Sequence, residues 1–396
     1  MSHLRFFTAG ESHGPALVVL VEGVPAGLPL LAADLDGDLG RRQQGYGRGG
    51  RMKIEQDRAT ILSGVRGGVT LGSPIALTIA NRDHANWAGR MGAEPFAEVP
   101  EALVRPRPGH ADLAGGQKYN RSDLRDILER ASARETASRV AAGAIAKRLL
   151  AAVGVEVFAF VRSIGAVACP PEALDLPSET LRDGARASEV GCPDEATSAA
   201  MKAAIHAASH AGDTLGGTFE VVATGVPVGL GSHVHWDRKL DGRIGQAFLS
   251  IQAIKAVSIG DGFEAAALPG SSVHDPIDYS KEHGDFPRRS NHAGGIEGGI
   301  TNGAPVRVVA AMKPIATLRK ALPSVDIRTK EAVDAAHERS DICAVLAASV
   351  VGEAMLALVL ADALLEKFGS DSLEELQRNM KGYQDQLAQW PAGDDR

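Results

Sequence analysis

Cysteine is scarce in this chain. Cys169, Cys192 and Cys343 stand far apart, with no CxxC spacing, so the sequence predicts neither a disulfide framework nor a zinc knuckle and suggests a reduced, cytoplasmic setting. Aromatics are 4% of the residues. The opening MSHLRFFTAGESHG has no apolar signal region. There is no GxxxxGK(S/T) loop, no strand–GxGxxG–helix and no GxSxG elbow. P-loop, Rossmann and nucleophile-elbow chemistries are therefore not expected. His206 and His210 (i,i+4) and His233 and His235 (i,i+2) have no acidic or cysteine ligand at matching spacing, so no metal site is expected. Lys and Arg number 42 against 49 Asp and Glu, a net charge of −7. That balance argues against bulk attraction to nucleic acid or to an anionic membrane.

What is abundant is small and apolar. Hydrophobic residues are 44% and charged residues 23% of the 396 positions, with 45 glycines. This is the composition of a globular protein large enough for a substantial core, with close backbone packing. The run 342–365 has the length of a membrane span, but it carries Glu353 and Asp362. Two acids are costly in lipid, so a helix buried on all sides within the protein is expected instead.

The chain partly repeats itself. EGVPAGL (22–28) resembles TGVPVGL (224–230), and SGVRGGVTLGSPIAL (63–77) resembles GGIEGGITNGAPVRV (294–308). ERAS (129–132) resembles ERSD (338–341); each opens a long alanine-rich stretch, with Gly143 and Gly352 at the same depth. Matches in one order imply two intertwined halves, about 1–165 and 210–369, joined by a linker over 166–209 and followed by a short tail, 388–396. Each half reads as strands followed by a long helix. Strands are expected at 16–24, as a pair at 59–68 and 74–81, at 218–226 and at 305–312, and helices at 123–152, from Pro193, at 238–255 and at 342–365. The fold class is α+β, with both long helices placed between two sheets in preference to two separate two-layer domains.

Basic residues are concentrated rather than spread. GRRQQGYGRGGRMK (40–53) holds Arg41, Arg42, Arg48, Arg51 and Lys53; RPRPGHAD holds Arg105 and Arg107; Arg130, Arg134 and Arg339 lie at the two helix mouths. Guanidinium forks and helix N-termini suit carboxylate and phosphate, so a pocket for a small polyanion is expected. His13 and His110 sit in stiff Gly/Pro turns, where proton transfer competes with a purely structural role. A nucleic-acid binder using GYGRGGRMK is the competing reading; only Tyr46 stands near the arginines as a stacking aromatic. Another enzyme handling a phosphorylated acid is a further alternative.

GESHG (10–14), RRQQGYGRGGRM (41–52), RPGHAD (107–112), ERASARET (129–136), GGIEGGITNG (294–303), KPIAT (313–317) and RSD (339–341) together resemble the chorismate synthase family over about positions 3–387. The resemblance implies a β-α-β sandwich with long helices between antiparallel sheets, assembled as a homotetramer. It implies a reduced-FMN-dependent trans 1,4-elimination of phosphate from 5-enolpyruvylshikimate 3-phosphate, giving chorismate with no net redox change. By the same resemblance, Arg42, Arg48, Arg107, Arg134 and Arg339 hold substrate, and His13, His110, Asp341, Ser12 and Ser132 serve catalysis. Flavin contacts fall on Arg130, Ala131, Ser132, Gln252, Ala253, Gly298, Lys313, Pro314, Ile315, Ala316, Thr317 and Arg339. Where many relatives have RSSARET, this chain has RASARET, so Ala131 offers backbone atoms alone; Ala316 likewise replaces a common hydroxyl. NADPH as reductant would use Arg42 and Arg48; an external flavin reductase is the alternative.

Overall fold

The structure is a computed structural model that describes residues 3–50, 54–281, 285–336 and 340–391. Two antiparallel sheets carry the architecture. The first has the order β1 (Arg5–Ala9), β2 (Ala16–Glu22), β6 (Ile75–Ala80), β3 (Ala59–Ile61). The second has the order β10 (Ile254–Ile259), β13 (Val306–Met312), β9 (Gly217–Thr224), β7 (Glu156–Ile164), β8 (Val167–Ala168). Short hairpins β4 (Val65–Arg66) with β5 (Val69–Thr70), β11 (Ile296–Glu297) with β12 (Ile300–Thr301), and β14 (Pro323–Val325) with β15 (Ala332–Asp334) complete the strands among the described residues.

The helices are α1 (Ala32–Gln43), α2 (Asp112–Tyr119), α3 (Arg125–Ala131), α4 (Thr136–Ala151), α5 (Ser178–Ala187), α6 (Glu195–His210), α7 (Leu240–Leu249), the short α8 (Gly270–Val273), α9 (Val345–Phe368) and α10 (Leu373–Ala388). Helices α4 and α9 pack on each other; α4 touches β1 and β2, and α9 touches β7 and β9. The strand patterns follow from this. In β2 and β6, Leu17, Val19, Val21, Ile75, Leu77 and Ile79 are buried and alternate with exposed or half-buried residues, since only one face is covered. In β7 and β9 five consecutive residues are buried, because α5 covers the second face with Leu181 and Ala185 against Phe158, Phe160 and Val222. Residues 166–209 thus contribute a folded layer, with α5 and α6.

Helix α9 has 83% of its most apolar window buried inside the protein. Its two acids are both paired. Glu353 takes Arg41 bidentately (Nη1 to Oε2 2.7 Å, Nη2 to Oε1 2.5 Å), Lys147 Nζ at 2.8 Å and the Ala159 N–H at 2.9 Å. Asp362 accepts the His3 and Leu4 N–H groups and pairs with Arg243. One carboxylate therefore joins α1, α4, α9 and β7. Burial would push the Glu353 carboxyl up, but the charge of Lys147 and the hydrogen bonds and charge of Arg41 outweigh it and hold it at about 2.

The repeated blocks fold alike locally. In the hairpin stretch Gly64, Gly67, Gly68 and Gly72 have φ of 81, 60, 79 and 77°, and their counterparts Gly295, Gly298, Gly299 and Gly303 have 77, 62, 95 and 91°. This is the left-handed region that favours glycine. Thr70 Oγ1 donates to Pro25 O (2.6 Å) and accepts from Leu28 N (2.9 Å); Thr301 Oγ1 donates to Pro227 O (2.7 Å) and accepts from Leu230 N (2.8 Å). The equivalence ends inside the helices. A Cβ on Gly143 would run into Ala354 of α9, whereas one on Gly352 would meet Phe219 and Val221 of the sheet.

Several expected boundaries move. The helix expected over 123–152 breaks at Ser132, whose backbone is extended (φ −62°, ψ 142°) and whose Oγ accepts the Arg134 N–H. Ala133–Glu135 then form a 3-10 turn before α4. The helix expected over 238–255 stops at Leu249, because residues from Ile254 pair with β13. The helix expected from Pro193 starts at Glu195, where the Asp194 side chain caps the Thr197 N–H.

Replacing Glu353 with Gln removes the only charge facing Arg41 and Lys147 from α9, and should cost about 3–5 kcal/mol by chemical denaturation. The parent should lose the Glu353 contribution as pH falls. It is complete above the unfolded value of 4.5 and gone once pH passes through about 2. An unchanged denaturation midpoint in the variant at pH 7 would remove this carboxylate from the account of stability.

Candidate active site

The broken helix is where the chemistry gathers. A cavity of about 410 Å³ is lined by the 12–13 turn, the end of α1 and the glycine loop after it, the 107–111 turn, the α3–α4 break, and the 312–317 and 340–344 segments. Of the expected site residues it brings together Ser12, His13, Arg42, Arg48, Arg107, His110, Ala131, Ser132, Arg134, Gln252, Ala253, Lys313, Pro314, Ile315, Ala316, Thr317 and Asp341. Arg130 and Gly298 are not in this wall. Arg130 instead donates to Thr8 O, Thr8 Oγ1 and Gly10 O. Gly298 forms the β11–β12 turn. Arg339 lies outside the described residues.

Consecutive arginines at the end of α1 face different ways, as one residue of helix is about a quarter turn. Arg41 goes to Glu353 in the core; Arg42 goes to the cavity. Arg42 and Arg134 share Asp57: Arg42 Nη2 reaches Oδ2 at 2.6 Å and Arg134 Nη1 reaches Oδ1 at 2.5 Å. Arg134 Nε also donates to Asn81 Oδ1 at 2.9 Å, and Glu55 Oε2 lies 3.7 Å from Nη2. Burial would raise the Asp57 carboxyl, but the charges of Arg42 and Arg134 prevail and hold it below its usual range. The two guanidiniums are set in fixed directions by a carboxylate behind the wall.

Arg107 is also committed. Its Nε donates to Asp112 Oδ2 (2.9 Å), its Nη2 to Oδ1 (3.2 Å) and its Nη1 to Thr317 Oγ1 (2.8 Å). His110 Nδ1 lies 2.5 Å from Asp112 Oδ1. Burial would raise Asp112; the hydrogen bonds from His110 and Arg107 reverse this and hold it at about 2. His13 has the parallel arrangement, with Nδ1 2.9 Å and 3.0 Å from the two Glu129 oxygens, and its ring centroid lies 4.2 Å from that of Trp87. Ser12 and Ser132 join through their hydroxyls at 3.1 Å.

Asp341 comes from the segment before α9 and is met by the glycine loop. Its Oδ1 accepts the Gly49 N–H at 2.6 Å, and Arg48 Nη1 is 3.2 Å from Oδ2. It sits ahead of Ala344, the cap of α9, so the loop rather than the helix end orients it. Ala253 is held at φ 67°, uncommon for a residue with a Cβ; its carbonyl accepts the Lys313 N–H at 2.9 Å. Lys313 Nζ reaches Gly109 O at 2.5 Å.

The arrangement can bind an anion through several fixed cations, and it holds two imidazoles and one half-buried carboxylate against it. Part of the wall is apolar: Leu128, Ala131, Ala133, Met312, Pro314, Ile315 and Ala344. Buried Arg42 Nε and Gln252 Oε1 have no protein partner. An apolar wall with unsatisfied polar atoms and a lysine fits a flat ring bearing polar edges and an anionic tail. Among the described residues no group of His, Cys, Asp and Glu is placed to hold a metal ion.

Sequence reasoning passed over Asp57, Asp112 and Glu129. Asp112 and Glu129 stand inside RPGHAD and ERAS, where the motif itself was the signal. Asp57 had a weaker one, an acid in EQD soon after an arginine cluster that burial would need to neutralise.

Comparison with known proteins agrees in one direction. The family model described as chorismate synthase matches residues 4–365. A chorismate synthase of Symbiobacterium thermophilum is 58% identical over 392 residues, covering 97% of this chain and 100% of that protein. One from Desulforamulus reducens is 57% identical over 387 residues, covering 98% and 100%. A solved structure titled "Crystal Structure of Chorismate Synthase" superposes with a TM-score of 0.79 at 46% identity, covering 98% of this chain and 99% of that one.

Asp57 and Asp341 should separate by experiment. Asp57→Asn leaves two buried guanidiniums uncompensated and should cost about 3–5 kcal/mol of unfolding free energy. Asp341→Asn, at a part-exposed ion pair, should cost under about 1 kcal/mol. Equal losses would show that Asp341 is a structural residue.

Proposed function

Because the chain belongs to the chorismate synthase family, it is a carbon–oxygen lyase that converts 5-enolpyruvylshikimate 3-phosphate into chorismate and phosphate, and we propose that the 410 Å³ cavity is where it does so, with reduced FMN as cofactor. The observation that carries this is convergence. Arg42, Arg48, Arg107, Arg134 and Lys313 come from separate parts of the chain to one wall that also holds His13, His110 and Asp341. The substrate bears two carboxylates and a phosphate, and guanidiniums with preset directions suit such groups.

In the elimination an allylic C–O bond breaks and phosphate leaves with the bonding pair, while a ring hydrogen is lost as a proton and its C–H bonding pair becomes the new double bond. Reduced FMN, when bound, supplies transient electron density to the allylic system. Lys313 to Thr317, Ala131, Ser132, Gln252 and Ala253 would hold it; Arg130, Gly298 and Arg339 remain expectations from the resemblance. The arginines and His13 meet the charge growing on the leaving phosphate, where fixed donors act most strongly. Ser12 and Ser132 orient His13's neighbourhood by hydrogen bonding. His110 governs the protonation of the cofactor edge, and Asp341 holds or moves a proton at the oxygen facing Arg48.

NADPH would use Arg42 and Arg48 if the protein reduces its own flavin. Arg48 also lines a second cavity of about 360 Å³ with Tyr46, His206 and Arg319. An external flavin reductase is the other source of electrons. We read the protein as cytoplasmic and homotetrameric, with the two halves related by a pseudo-twofold in a β-α-β sandwich. Phe7, Val18 and Leu20 on the open face of the first sheet, 62%, 41% and 39% exposed, support burial against further copies.

Anaerobic assay decides the reading. With dithionite-reduced FMN the protein should release phosphate from the substrate, and with oxidised FMN alone it should not. Asp341→Asn should lower turnover by about 100-fold or more with pre-reduced FMN; full turnover would remove it from proton handling. His13→Ala should slow phosphate release while leaving FMN bound. Absence of any reduced-FMN-dependent phosphate release from the parent would end the assignment.

A further inference from the structure

Both cavity histidines present the same nitrogen to a buried carboxylate. His13 Nδ1 lies 2.9 Å and 3.0 Å from Glu129, and His110 Nδ1 lies 2.5 Å from Asp112. We propose that Glu129 and Asp112 are positioning residues for the reaction: each fixes the Nδ1–H form of its histidine, so that Nε2 is the nitrogen that takes or gives a proton in the cavity. The proposal rests on the reading of His13 and His110 as acting groups in the elimination.

The donor inventory carries the argument. An ionised carboxylate only accepts hydrogen bonds, so the ring nitrogen facing it must carry the hydrogen. Glu129 is 2% exposed. Burial would raise its carboxyl, but the hydrogen bond and charge of His13, with the His13 N–H and the charge of Arg125, hold it below the usual range. Its oxygens also accept the His13 N–H at 2.8 Å and Arg125 Nη1 at 3.1 Å. The same side chain therefore fixes the ring and the backbone that carries it, and the Glu129 carbonyl accepts the Ser12 N–H at 3.0 Å. On the far side of the ring, Asp83 Oδ2 is 3.9 Å from Nε2, beyond hydrogen-bond range. His84 meets His13 through the His13 carbonyl, at 2.9 Å. Among the described residues, Glu129 is the hydrogen-bond partner of the His13 ring, with Trp87 packed beside it.

At His110 two neighbours compete for Nδ1. Arg107 Nη2, a donor, is 3.1 Å away; Asp112 Oδ1, an acceptor, is 2.5 Å away. A lone pair facing a carboxylate at the shorter distance is the worse clash, so Nδ1 keeps its hydrogen and Arg107 turns its remaining donors to Asp112 and Thr317. Asp112 thus orders His110 and Arg107 together. An amide in place of either carboxylate can present its NH₂ to Nδ1 and stabilise the opposite tautomer, as amide replacement does in a Ser-His-Asp triad.

The test uses the full chain labelled with ¹⁵N-histidine, with His13→Gln and His110→Gln used to assign the two rings. In the parent at neutral to mildly alkaline pH both should show Nδ1 protonated. Glu129→Gln and Asp112→Asn should each shift their own histidine toward the Nε2–H form and lower kcat about 100-fold. KM for 5-enolpyruvylshikimate 3-phosphate and FMN affinity should change less than about threefold in Glu129→Gln. Adding Glu129→Gln to His13→Ala should cause no further loss. An Nε2–H ring in the parent overturns the proposal for that histidine. So does kcat within about threefold of the parent, or a full additional loss in the double variant. If a variant does not fold, the parent's tautomer decides. Failure of the parent to release phosphate would be failure of the functional reading, and leaves the tautomer result to stand on its own.

Discussion

Helices α4 and α9 can lie in direct contact because Gly143 has no side chain where Ala354 of α9 passes. The preceding residue of α9, Glu353, sits fully inside the protein with Arg41, Lys147 and the Ala159 N–H around it. An unpaired carboxylate there would be intolerable, so α1, α4 and β7 have to arrive together. This crossing ties the first sheet's helices to the second sheet. The cavity lies between segments that the crossing holds together.

The cavity follows from how these elements end. Helix α1 terminates with Arg41 turned inward and Arg42 turned to the cavity, so one turn of helix serves both core and site. The helix breaks at Ser132 before α4, which places Ser132 and Arg134 in the wall, while Arg130 bonds to Thr8 of β1. Helix α9 begins only at Val345, leaving Asp341 on the preceding segment, where the glycine loop fixes both its oxygens. Chemistry is concentrated where helices stop or have yet to begin, because there the backbone can aim side chains into a shared space.

Charge in the wall is more balanced than an arginine count implies. Asp57 serves Arg42 and Arg134, Asp112 serves Arg107, and Asp341 serves Arg48. The carboxylates lower the net positive charge but set the guanidinium directions in advance of any bound anion. Such preorganisation spares the reorganisation that loose side chains would have to undergo on binding.

Much of this was legible in the residues alone. The buried character of 342–365, the alternating strands 16–22 and 75–80 and the local duplication around Thr70 and Thr301 could be read from periodicity and repetition, and many of the cavity residues from motifs that resemble the family's. These depend on neighbours in sequence or on a compact signature. The sequence by itself thus determined several of the elements and the chemical inventory. Only the tertiary structure decided which acid meets which base: Asp57 with Arg42 and Arg134, Glu353 with Arg41 and Lys147, Glu129 with His13. It also decided that the helix over 123–152 must break, and that Gly143 and Gly352 face different partners. The physical reason is that burial makes an unpaired charge or a surplus methyl group costly, and its partner is chosen by distance in space, which spacing along the chain does not encode.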